Sequence, residues 1–82
     1  MRTPKEFYSY YVFQPDEHGV WIRRVTGHAT GCRQFFRAVK KLFPDAFYKA
    51  SYDPIFCKPI SVSYMDGGED LFQIENYYAE VL

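Results

Sequence analysis

Branched aliphatic side chains are scarce in this sequence: thirteen Val, Ile and Leu residues stand among 82, fewer than its seventeen aromatics. No apolar run approaches the roughly 18 residues of a membrane-spanning helix, and no charged-then-apolar leader opens the chain. A protein that works in the cytoplasm, with no membrane partner, is the expectation. Two cysteines, Cys32 and Cys57, are too few for a disulfide framework, and in a reducing setting both are expected to be buried small hydrophobes. Acidic residues are missing between His18 and Pro44, and basic residues are missing from Pro59 onward. Internal repeats and low-complexity tracts are also absent. On these gaps and this length, neither a multidomain enzyme nor a helical membrane protein, a collagen-like fibre or a repeat array is expected.

What is present reads as one domain over residues 1–82, with 48% apolar and 24% charged residues in ordinary globular proportion. Eight Phe, eight Tyr and one Trp make the core from large pieces, which suits a chain with few residues to bury. Ten basic and ten acidic residues cancel overall, yet positive charge gathers in the middle and negative charge at the end.

Hydrophobic periodicity predicts a strand over Phe7–Gln14 with apolar residues on both faces, then a loop over Pro15–Gly19 and a second strand over Val20–Thr26. Gly27-His28-Ala29-Thr30-Gly31 is expected to break that strand. Cys32, Phe35, Phe36, Val39, Leu42 and Phe43 then recur at helical spacing, so an amphipathic helix follows, with Thr30 as its N-cap and Pro44 as its stop. Alternation predicts a strand over Ala46–Tyr52 and a half-buried one beginning at Ile60, with Val62 and Tyr64 inward. Asp66-Gly67-Gly68-Glu69 is a turn signal. The last strand is expected over Leu71–Tyr78 with Phe72 and Ile74 inward, while Tyr77–Leu82 could instead be a short helix. The fold class is therefore α+β: an antiparallel sheet of four to five strands, in chain order β-β-α-β-β-β, with one helix packed on one face. One helix leaves the other face uncovered, and a second copy or a partner would be needed to cover it.

Catalytic and ligand signatures are weak. His18, His28, Cys32 and Cys57 lack the paired spacing of common zinc sites, so no metal is expected. Cys32 beside His28 and Arg33 has the electropositive setting of a nucleophile, but its place on the apolar stripe points it inward. The two glycines of Gly27–Gly31 match neither the phosphate loop nor the dinucleotide fingerprint. No enzymatic activity and no cofactor are expected. The hairpin-helix-sheet order resembles that of small antitoxin and regulatory domains, and no motif carries function across.

The remaining candidates are surface residues. Tyr8, Tyr10 and Trp21, with Arg23 and Arg24 on the second strand and Arg33, Arg37, Lys40 and Lys41 on the helix, form an expected aromatic and basic face. Asp66, Glu69, Asp70 and Glu75 form an expected acidic patch. These residue types suit a non-catalytic protein-binding module, an adaptor or an inhibitor, of the size that phages and mobile elements encode against host systems. Homodimerisation is a further expectation. The alternative is nucleic-acid binding through the basic helix stripe and exposed aromatics, weakened by a pI near 6.7.

Overall fold

The computed structural model describes residues 4–52, 58–66 and 71–80. Its elements are β1 (Glu6–Pro15), β2 (Gly19–Ala29), α1 (Cys32–Leu42), β3 (Phe47–Lys49), β4 (Ser61–Asp66) and β5 (Leu71–Glu80). All five strands join one antiparallel sheet with spatial order β3-β1-β2-β5-β4, and the single helix lies against β1 and β2. The α+β class and the chain order are as the periodicity predicts. The spatial order is not sequential, because β5 pairs with β2 and leaves β4 as an outer edge.

Three strands form the centre. β1 and β2 make a hairpin paired from Glu6↔Ala29 to Pro15↔Val20, and β2 pairs with β5 from Gly19↔Glu80 to Thr26↔Gln73. The connection between β1 and β2 is fixed by Asp16, whose Oδ1 accepts from the backbone N–H groups of His18 (2.8 Å) and Gly19 (2.9 Å) and from the Tyr78 hydroxyl (2.8 Å). Such an Asx turn gives a short polar side chain the role of a backbone acceptor. Gly19 is required for a different reason. A Cβ there would lie 2.1 Å from the Ala79 carbonyl oxygen, so any side chain would push β2 away from β5.

Beneath the helix the buried core comprises Val12, Val25, Ala29, Phe35, Val39, Phe72 and Ile74. Phe35 is its centre, with no exposed surface, stacked on Tyr8 and Tyr10 at centroid distances of 5.6 and 5.4 Å and tilted against Phe72 at 5.6 Å. Gly27 lets this happen: a Cβ on it would come within 3.0 Å of the Phe72 ring and 3.3 Å of Phe35. At the helix C-terminus the Arg23 guanidinium sits between the rings of Trp21 (5.5 Å) and Phe43 (5.2 Å) and donates to Gln14 Oε1. The Tyr48 hydroxyl donates to the Phe43 carbonyl, tying β3 to the end of the helix.

Several expectations are corrected. β2 does not break at Gly27 but runs to Ala29, since Gly27 is a strand residue that makes room for two rings. The N-cap is Gly31 rather than Thr30, and no side chain caps from that position. Instead Gln34 reaches back, its Oε1 accepting from the Thr30 backbone N–H at 2.8 Å and from the Thr30 hydroxyl. That is the returning half of a capping box, shifted by one residue. Cys32 is exposed rather than buried, because it opens the helix ahead of the part that rests on the sheet. Phe36 is 36% exposed on the rim, although it shares the apolar spacing of Phe35. β3 is only three residues long. β5 continues as a strand to Glu80, so Tyr77–Glu80 is not helical.

β4 departs furthest from expectation. Its alternation is present, but all six residues are exposed, Val62 and Tyr64 included. Among the described residues the strand pairs only with β5, and the helix lies over β1 and β2, so no described element covers either face of β4. Cys57 and most of the Asp66–Glu69 turn fall outside the described residues.

Candidate partner-binding surface

Antiparallel register sorts every strand residue onto one of two faces, since side chains directly opposite one another project to the same side. The helix face carries Tyr8, Tyr10, Val12, Trp21, Arg23, Val25, Phe72 and Ile74. The open face is built of cross-strand rows. Phe7 faces His28; Ser9, Thr26, Gln73 and Tyr64 form the next row; Tyr11, Arg24, Glu75 and Val62 form the third; Phe13, Ile22 and Tyr77 form the fourth.

This sorting divides the expected aromatic and basic face. Tyr8 and Tyr10 are not outward tyrosines; they are half-buried under the helix, stacked on Phe35. Trp21 is half-buried against Tyr78, with ring centroids 4.8 Å apart, and Arg23 is its structural partner. Burial lowers the pKa of the Arg23 guanidinium below its ordinary value. Arg24 lies on the opposite side of the sheet, 3.8 Å from Glu75. Only Arg33, Arg37, Lys40 and Lys41 stay together, exposed along the outer side of α1.

The acidic patch is divided too. Glu75 sits mid-face and half-buried, with its Oε2 accepting from the Tyr77 hydroxyl at 2.6 Å. That hydrogen bond, then burial and the Glu75 charge, push the Tyr77 phenol up to about 12. Asp66 stands alone at the end of β4, and Glu69 and Asp70 lie outside the described residues. Arg24 Nε is buried without a hydrogen-bond partner, so its contact with Glu75 leaves that guanidinium incompletely satisfied.

The residues with the largest apolar exposure belong to neither expected patch. Among the described residues, nine large apolar side chains are exposed, and five of them (Ile60, Val62, Tyr64, Met65 and Leu71) lie on or beside the β4–β5 hairpin. Tyr64 is 68% exposed, Leu71 65% and Phe7 58%. Phe7, Thr26, His28, Tyr64, Leu71 and Gln73 line a shallow groove of about 150 Å³ on the open face. Its wall at β1 is set by the Phe7 ring, edge-on to His28 at 5.4 Å. Alternation alone put Val62 and Tyr64 in the core, and nothing in the sequence separates a buried alternating strand from an exposed one. A missed signal was available in the helix length. Eleven residues span only about 16 Å, too little for one helix to screen every strand of a sheet.

No family model, curated protein or solved structure matches this chain. The chemistry on the surface therefore has to speak for itself. Among the described residues, no three His, Cys, Asp or Glu side chains gather as a metal would require, and no helix is long and apolar enough to cross a membrane. The groove could accept one apolar side chain, whereas small-molecule sites usually enclose about 300–1,000 Å³. Tyr52 sits over Tyr11 and Phe13, at 5.9 and 5.0 Å, and covers the middle of β1 on the open face. Among the described residues, the uncovered apolar surface of that face lies at the Phe7 end, on the β4 side and, separately, at Phe47 of β3, which is 69% exposed.

Proposed function

We propose that this chain is a non-catalytic binding domain, an adaptor or an inhibitor, that occupies the surface of another protein. The contact is made by the open sheet face around Phe7, His28, Tyr64 and Leu71 rather than by a mixed aromatic and basic face. The observation that carries this reading is the exposure of Tyr64, Leu71 and Phe7 around a groove sized for a single side chain. Clustered apolar exposure of this kind, rimmed by polar groups such as Thr26, Gln73 and His28, marks protein contact sites more often than bare surface. Affinity isolation from the source cell, run in parallel with wild type, Leu71→Asp and the pair Arg33→Glu/Arg37→Glu, tests it. A partner lost with Leu71→Asp and kept with the helix pair supports the reading; the reverse pattern refutes it.

A second reading, nucleic-acid binding, draws on one observation. Arg33, Arg37, Lys40 and Lys41 are exposed on one side of α1, and among the described residues none has a carboxylate partner. Four cations would contact phosphates with a strong dependence on salt. Against it, Tyr8, Tyr10 and Trp21, the rings expected to stack on bases, are engaged inside the fold. Retention of the wild type on a DNA column at low salt, abolished by Arg33→Glu/Arg37→Glu, would favour it.

A further inference from the structure

Arg33, Arg37, Lys40 and Lys41 line the outer side of α1, all of them exposed, and among the described residues none lies within ion-pair distance of a carboxylate. On an α-helix these positions fall within roughly 100° of arc and span about 12 Å. The arrangement opposes the helix that carries it. Arg37 stands one turn from Arg33, Lys40 and Lys41, at the spacings where like charges repel. Arg33 is in the first turn, at the positive end of the helix dipole, with no acid in that turn and no side-chain cap at Gly31. Only Lys40 and Lys41 suit the end they occupy. A solvated face needs polar groups but not four of one sign, and a local rule broken without gain to the fold points to a use outside it.

We infer that the outer side of α1 docks a compact cluster of carboxylates on the surface of a protein. Charge complementarity supplies the sign of the partner, and the extent of the stripe supplies its class. Exposed Asp45 stands just beyond the last turn. Neighbouring cations do not lengthen the stripe: Arg23 is held between Trp21 and Phe43, and Arg24 and Lys49 project from the opposite side of the sheet. A nucleic-acid strand, charged along its whole length, would run off the stripe towards Asp45 with no further cation to meet. A cluster of a few carboxylates matches the stripe end to end. Phe36 borders it and is 36% exposed, so an apolar residue beside those carboxylates has a ring to pack on.

This site lies across the sheet from the groove at Phe7 and Tyr64, so it can fail or succeed separately from the open-face reading. Exposed charges are screened by salt, and four of them alone are too weak to carry a partner through affinity isolation.

Two measurements on the full chain at low salt test it. Thermal unfolding of the free protein reads the cost of the stripe. Arg33→Gln/Arg37→Gln should raise the Tm by about 2–5 °C, since glutamine matches arginine in helix propensity while the repulsion is removed. Amide chemical shifts read the contact. The probe is an alanine-based helical peptide with four glutamates at the spacing of the stripe, and its glutamine counterpart is the control. The glutamate peptide should shift the amides of α1 and leave those of Phe7, His28 and Tyr64 in place. Its affinity should fall about tenfold with Arg33→Gln/Arg37→Gln and exceed about tenfold that of a single-stranded oligonucleotide overrunning the stripe at both ends. An oligonucleotide that binds as tightly as the peptide overturns the proposal and assigns the stripe to nucleic acid. An unchanged or lower Tm for the double variant, peptide binding that the variant keeps, or shifts equally strong with the glutamine peptide overturn it as well.

Discussion

Replacing Phe35 by alanine tests the packing on which the rest of the molecule depends. Phe35 is fully buried and holds three rings at once, those of Tyr8, Tyr10 and Phe72. Deleting such a ring forfeits its transfer free energy and leaves a cavity, at a cost of about 3–5 kcal/mol. Each lost ring pair carries roughly 0.5–1.5 kcal/mol beyond area, which places the expected cost near the top of that range. The stability of an 82-residue domain is roughly 4–12 kcal/mol. Phe35→Ala should therefore remove a third or more of it and lower the Tm by roughly 15–30 °C. The internal control is Phe36→Ala, one residue on, where the ring is 36% exposed and packs edge-on against Tyr10 and Tyr48. That change should cost about 1–2 kcal/mol, the transfer term with little cavity. Urea unfolding followed by far-ultraviolet circular dichroism gives both numbers. Equal losses for the two variants, or a Phe35→Ala loss under about 1.5 kcal/mol, would refute the placement of Phe35 at the core's centre.

Gly31→Asp should raise stability by about 0.5–1 kcal/mol, because the N-cap lacks a side-chain acceptor, its φ of −171° suits any residue, and the first helical turn has no acid. Thermal unfolding checks it, and an unchanged or lower Tm counts against the cap assignment. Gly19→Ala should destabilise by about 1–3 kcal/mol and speed amide exchange at the Gly19↔Glu80 end of the ladder, since the new methyl meets backbone that cannot swing aside. In alkali, the Tyr77 contribution is intact below the ordinary phenol value near 10 and is lost as pH rises through about 12, because its folded pKa is raised. A phenolate absorbance titration should show a late step near 12 that Tyr77→Phe lacks. In acid the sign reverses for Asp16, whose carboxyl is held below its usual range chiefly by the His18 backbone N–H and next by the Tyr78 hydroxyl. Its contribution is present above about pH 4 and lost as pH falls through the lowered value. The stability gap between wild type and Asp16→Asn should close in that window.

Element types were legible where local pattern and burial coincide. The period of Phe35, Val39 and Leu42 marks α1, and the unbroken apolar character of β1 marks a strand near the centre of the sheet. Which face of β1 meets the helix was not legible, because Tyr8 and Tyr10 on one side and Tyr11 and Phe13 on the other are equally apolar. Only pairing with β2 decides it, and that placed the expected outward tyrosines inside. Gly27 misled for a related reason: a glycine that makes room for Phe35 and Phe72 is indistinguishable, in one dimension, from a glycine that ends a strand. The exposure of Val62 and Tyr64 follows from the position of β4 in the sheet order, a long-range property. Arg23 and Arg24, adjacent in sequence, went to opposite faces because a strand alternates, and that much could have been foreseen.

Hydrogen–deuterium exchange on the complex with the isolated partner tests the central claim most directly, that contact runs through the open sheet face. The account predicts slowed exchange on binding at the Phe7 end of β1, at His28 and along β4 and the start of β5, with the amides of α1 unchanged. Protection confined to α1 around Arg33, Arg37, Lys40 and Lys41, with β4 and β5 unaffected, would contradict it.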